Sequence, residues 1–181
     1  MAINYPPQYR YSLFEQWDKE TFELIKKIAK TKNYPKIIGS KNDKNQFLIT
    51  IIRTQKALHG WRDFLVDTFD QIRRNNTIDT PTLNKKYPSS CISKETPEWV
   101  TYRGDKIVSG FIDELETRKI DFLGDDKEIA EFIIRFTLGQ LGHDWEWTIM
   151  MIWEMLGDED ILSVRKLNKE MKNFDYLKLF E

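Results

Sequence analysis

Ile51, Leu58, Leu65 and Ile72 recur every seven residues, and Phe47, Trp61 and Phe69 widen the same stripe. Sustained seven-residue apolar spacing marks helices packed lengthwise against one another. It predicts a helix over about Asn45–Arg74, roughly 40 Å long at 1.5 Å per residue. Asn75, Asn76 and Thr77 end it. A chain with such a rod must bury it among other helices. The scarcity of Gly and Pro, 8 and 6 in 181 residues, agrees, because a strand-and-turn fold needs more of both.

The flanking sequence reads as further helices. Asn4 to Tyr11 is an extended arm. Ser12 to Glu15, "SLFE", has the form of a capping box, opening a first helix over Leu13–Thr31 with Phe14, Trp17, Phe22, Ile25 and Ile28 on one stripe. Tyr34-Pro35 ends it, since the residue before proline avoids helical geometry. Thr77 to Pro97, rich in Pro, Ser and Thr, reads as a long loop. Helices over about Asp105–Lys119 and Lys127–Gln140, one running to Leu156, and a last one opened by Asp158–Asp160 complete the set. The expected fold is all-α, a bundle of about six helices with one long central helix. It forms one domain over 1–181, with possible lobes 1–76 and 98–181 joined by 77–97. No internal repeat is evident.

Composition bounds the class. With 40% apolar and 31% charged residues, a globular, soluble chain is expected. A single cysteine, Cys91, excludes an intrachain disulfide and a cysteine-built zinc site. Met1 to Trp17 lacks the basic flank and apolar run of a secretory signal. No stretch of about 18 residues is free of charge, so no membrane span is expected and the cytoplasm is the expected compartment.

Charge is unevenly spread. Residues 1–90 hold 16 Lys/Arg against 9 Asp/Glu, a balance of +7, and residues 91–181 hold 12 against 20, a balance of −8. The first half can meet an anionic partner, or the halves can fold onto each other. Between Lys26 and Lys44 lie seven lysines (Lys26, Lys27, Lys30, Lys32, Lys36, Lys41 and Lys44) and one acid, Asp43. Tyr34 sits among them, where a base could stack. Lysines without arginine suit backbone contact, so nucleic acid or an acidic protein surface is the expected partner. The alternative is a solvated loop. Trp145 to Leu156 is apolar nearly all round, as suits a central helix or one that covers an interface. Trp145, Trp147, Met150, Met151 and Trp153 are the candidate surface for a protein partner or a second copy.

Two acidic pairs invite a catalytic reading. Asp113 and Glu116, and then Glu128 and Glu131, each lie three apart on a helix face, and facing carboxylates of this kind can hold Mg²⁺. "EIAEFIIR" followed by "LGHDWE", with "GDKIVSGFIDELE" before it, resembles MazG-type all-α nucleoside triphosphate pyrophosphohydrolases over residues 104–147. The resemblance implies Mg²⁺ held by Asp113, Glu128 and Glu131. Gly110 stands where that family carries its first glutamate, and Glu131 where it carries an aspartate.

Arg53 and His59 resemble the Arg-x4–6-His motif of HEPN ribonucleases. That implies proton transfer by the histidine and charge stabilisation by the arginine. On one unbroken helix the two would point about 120° apart, which leaves Arg53 solvated and His59 against Trp61. His143-Asp144 has the letters of an HD hydrolase, but a chain with 2 histidines lacks that family's further ligands, so a helix cap is the better account. The favoured reading is a non-catalytic binding or assembly subunit without a cofactor. The alternatives are a Mg²⁺-dependent pyrophosphohydrolase and a ribonuclease.

Overall fold

The structure is a computed structural model that describes residues 19–53, 61–88, 103–140 and 145–172. Strand β1 (Lys36–Ile38) pairs in parallel with β2 (Thr77–Asp79), and the Lys36 amide donates to the Asn76 carbonyl at 2.9 Å. That pairing forbids the single long helix. An unbroken helix between the strands would hold its ends roughly 50 Å apart. The chain instead runs out along α2 (Lys41–Arg53) and returns along α3 (Trp61–Asn75). Residues 54–60, which join the two helices, lie outside the described residues. Ile51 belongs to the outgoing helix, and Leu65 and Ile72 to the returning one. All three are buried, because both helices turn their stripes to the same core. Leu58 lies outside the described residues.

The architecture then occurs a second time. Helix α1 (Lys19–Thr31) leads into β1, and α4 (Thr80–Lys86) follows β2. In the same order come α5 (Arg103–Thr117), β3 (Asp121–Leu123), α6 (Asp126–Gln140), α7 (Trp145–Leu156), β4 (Ile161–Ser163) and α8 (Val164–Met171). Strands β3 and β4 again pair in parallel. The chain is two copies of a helix–strand–helix–helix–strand–helix unit, which corrects the expectation of no repeat. Equivalent residues include Gly39 and Gly124, Phe47 and Phe132, Trp61 and Trp145. The tripeptide Leu83-Asn84-Lys85 returns as Leu167-Asn168-Lys169. Asn76 and Asp160, each ahead of its unit's second strand, adopt φ of 51° and 55°. The described residues form eight helices and two short parallel strand pairs, a predominantly helical fold.

Two expectations of loop and cap are also corrected. The start of the Pro/Ser/Thr segment is ordered as β2 and α4. Asp79 caps α4 by accepting from the Thr82 amide at 3.2 Å. Pro81 lies in the first turn, where no donor is required. Asp158–Asp160 open no helix. They turn into β4, and α8 starts at Val164 behind the Ser163 cap, whose hydroxyl accepts from Lys166 N at 3.3 Å. The expected capping box at Ser12–Glu15 lies outside the described residues.

Each first strand passes into its next helix through glycine, because the second strand–helix junction of the same unit lies against it. A Cβ on Gly39, which also has φ +129°, would stand 2.2 Å from Thr80 Oγ1. One on Gly124 would stand 3.0 Å from Cβ of Val164, the residue equivalent to Thr80.

The two units share one core, which includes Phe47, Ile51 and Phe69 from the first and Phe132, Ile133 and Ile152 from the second. Their contacts are reciprocal in kind. On one side α2 meets β3, where the Phe122 amide donates to Asn45 Oδ1 at 3.2 Å. On the other α6 packs on β1. Among the described residues no helix is long and apolar enough to cross a membrane.

Candidate functional site

Helices α1 and α3 run into β1 and β2 at the same end of the first unit, because the strands are parallel with Lys36 opposite Thr77. Lys30, Lys32 and Lys36 of the lysine segment lie at this end, and Lys41 and Lys44 follow beyond β1. Not all of its charge is on offer. Lys26 pairs with Glu23 at 3.2 Å. Lys41 and Lys44 reach across to the second unit, to Asp121 at 2.8 Å and Asp126 at 2.7 Å. Part of the charge asymmetry therefore holds the two units together. Lys27, Lys30, Lys32 and Lys36 remain exposed and have no ion-pair partner among the described residues. Lys30 in the last turn of α1 suits the negative end of the helix dipole. Arg74 is exposed at this end too. Arg73 pairs with Asp70 at 2.9 Å and donates to Thr21 Oγ1 at 2.9 Å. Tyr34 is half-buried and packed against the core, so its ring is no free platform for a base.

The matching end of the second unit carries the opposite sign. Asp121 stands where the first unit has Lys36, Asp158 where it has Arg74, and Glu159 where it has Asn75. Arg118 is drawn inward, donating to Asp160 Oδ1 and to the Gly157 carbonyl at 2.8 Å.

Arg53, expected to be solvated, is 0% exposed. Its Nη2 lies 3.2 Å from Glu116 Oε2 and 3.8 Å from Asp113 Oδ1. Packing of α2 on α5 sets the end of one helix against the acidic face of the other. An arginine so enclosed is not placed to meet a scissile phosphate. His59 lies outside the described residues.

The other acidic pair is also committed to arginines. Arg165 Nε lies 2.6 Å from Glu128 Oε1, and Arg135 Nη2 lies 3.0 Å from Glu131 Oε1. Glu128 further accepts from the Asp125 amide at 3.0 Å, closing a capping box on α6. No three potential metal-ligating side chains converge among the described residues. Mg²⁺ requires several oxygens around one point, and this arrangement does not fit it.

Comparison with protein-family models, curated proteins and solved structures gives no match.

The described residues of the candidate aromatic surface divide between core and exterior. Trp153 stacks on Phe111 with centroids 4.3 Å apart and receives the Arg118 guanidinium at 5.3 Å. Met151 is buried and Met150 is exposed. The Trp145 and Trp147 side chains lie outside the described residues. Beside this face α7 and α8 part to leave a groove of about 540 Å³, lined by Met150, Met151, Glu154, Met155, Lys166 and Lys169, with Glu170 on the α8 side.

The corresponding place in the first unit is bridged, and sequence reasoning missed the bridge. Asp67 on α3 accepts from Lys86 Nζ at 2.6 Å and from the Tyr87 hydroxyl at 2.5 Å. Burial pushes the Asp67 carboxyl up, but the Lys86 and Tyr87 hydrogen bonds and the Lys86 and Arg74 charges outweigh it and hold the group below its usual value. Burial, and then Asp67, raise the Tyr87 phenol. Lys86 is raised by its hydrogen bond to Asp67.

Proposed function

We propose that this protein is a non-catalytic assembly subunit that docks an acidic protein surface through the lysine-rich end of its first unit. The observation that carries the reading is the concentration there of exposed cations with no ion-pair partner among the described residues. Lys27, Lys30, Lys32 and Lys36 lie where two helix ends and a strand pair meet, while the other lysines of the segment are spent on Glu23, Asp121 and Asp126. Clustered lysines favour rapid, salt-sensitive encounter with an acidic surface. An acidic protein is favoured over nucleic acid because the segment's aromatic residue, Tyr34, is packed against the core, whereas single-strand recognition calls on exposed rings. The same arginine partners that occupy Asp113, Glu116, Glu128 and Glu131 favour a binding role over Mg²⁺-dependent hydrolysis.

Fluorescence anisotropy tests this with three labelled probes, a polyglutamate peptide, single-stranded RNA and duplex DNA, each at low and high salt. The expected result is salt-sensitive binding of the acidic peptide that is lost when Lys27, Lys30, Lys32 and Lys36 are replaced together by glutamine. Preferential binding of RNA or DNA would replace the acidic protein with nucleic acid. Binding of no probe would end the reading.

A further inference from the structure

One difference between the two units changes how their helices are joined. In the first unit Asp67, Lys86 and Tyr87 tie α3 to α4. Their equivalents in the second are Met151, Glu170 and Met171, which cannot reproduce that bridge. The gap between α7 and α8 stays open as the methionine-lined groove. We propose that this groove is a self-association site at which two copies of the chain pair about a two-fold axis running along it.

The rim supports a second copy as the occupant. A two-fold contact joins a patch to itself, so the patch must be its own complement. This one carries Lys166 and Lys169 on the α8 wall, Glu154 on the α7 wall and Glu170 on α8, two bases and two acids. All four side chains are exposed, and none has an ion-pair partner among the described residues. A two-fold along the groove lays α8 of one copy over α7 of the other, which sets Lys166 and Lys169 opposite Glu154. The floor suits the same role. Met150, 36% exposed, and Met155 present flexible, polarisable side chains that adjust to an identical surface. The contact uses no lysine of the first unit, so it stands or falls separately from the docking proposed above.

Sedimentation velocity on the full chain over a concentration series, at low and high salt, reads the association directly. The wild type forms a reversible dimer that weakens with salt. Met150→Glu abolishes it. Lys169→Glu weakens it by about tenfold or more, the effect of losing roughly one buried charge pair. Adding Glu154→Lys to Lys169→Glu restores it, because the swapped pair re-forms across the axis. Circular dichroism melts confirm that each variant is folded; since the substituted side chains are exposed, wild-type melting is expected. A monomer at every concentration would overturn the proposal, whether the groove is left to a different protein or to the chain's own residues 173–181. So would a dimer indifferent to Met150→Glu, or a charge swap that fails to rescue.

Discussion

Asn84 and Asn168 make the same hydrogen bond in the two units: each side-chain amide donates to a backbone carbonyl, that of Asp43 at 2.8 Å and that of Glu128 at 2.9 Å. The accepting residue is in both cases the third residue of its helix, the partner of the cap in a capping box. Ser40 and Asp43 cap α2 reciprocally, with the Ser40 amide on Asp43 Oδ2 at 3.0 Å and the Asp43 amide on Ser40 Oγ at 3.1 Å. Asp125 and Glu128 do so for α6 at 3.0 and 2.8 Å. The asparagine fastens the unit's final helix to the start of the helix after its first strand.

Replacing either asparagine by alanine leaves that attachment unmade. Each change is expected to cost about 1–3 kcal/mol of unfolding free energy, read from urea melts. A loss confined to one unit would show that the duplicated bond is not equally important in both.

Glycine substitutions should separate by position. Gly39→Ala forces a Cβ against Thr80 at an unfavourable φ and is expected to destabilise by about 1–3 kcal/mol. Gly110 lies inside α5 with nothing within 4 Å of a built Cβ. There Gly110→Ala should stabilise by about 0.5–1 kcal/mol, because alanine loses less backbone freedom in a helix. Thermal melts of the pair give opposite signs if the placement is right.

Arg53→Ala would strip two carboxylates of a fully buried guanidinium. The expected cost is about 3–5 kcal/mol. Replacing Glu116 by glutamine at the same time should recover part of it, since one acid no longer lacks its counter-charge. If Arg53→Ala is neutral in chemical denaturation, the α2–α5 contact is not formed as described.

The Asp67 bridge predicts a pH signature. Its carboxyl is held below the usual value in the folded chain, so its contribution is present above the unfolded pKa, near about 4, and is lost as pH falls through the folded value. Stability should drop on the acid side less steeply in Asp67→Asn than in the wild type. At the alkaline end the Tyr87 phenol is raised, so its contribution is complete below about pH 10 and fades as pH rises through the folded value. Absorbance titration should show Tyr87 titrating late, and earlier in Asp67→Asn.

Helices whose apolar period is local were legible in the sequence. The expected Asp105–Lys119 and Lys127–Gln140 are observed as Arg103–Thr117 and Asp126–Gln140. The reversal between α2 and α3 was not, because the seven-residue spacing stays in phase across it and phase cannot distinguish one rod from two helices facing one core. Burial of Arg53 could not be read either. Its partners lie some sixty residues away, and only the fold brings them near. The duplication was hidden by three-residue strands, too short to give a period, and by charge reversal at equivalent sites such as Lys36 and Asp121. The recurring "LNK" was its visible trace. Of the lysine segment, the sequence showed the charge but not which lysines the second unit would neutralise.

The strand pairs also bear on how the chain responds to force. In each unit the two strands run the same way, and the chain enters at the start of one and leaves at the end of the other. Tension applied through the ends of a unit therefore drags the strands past each other, loading their hydrogen bonds together in shear rather than unzipping them one by one. Each three-residue ladder is a small mechanical clamp, and a chain stretched from its termini should yield at two separate clamps.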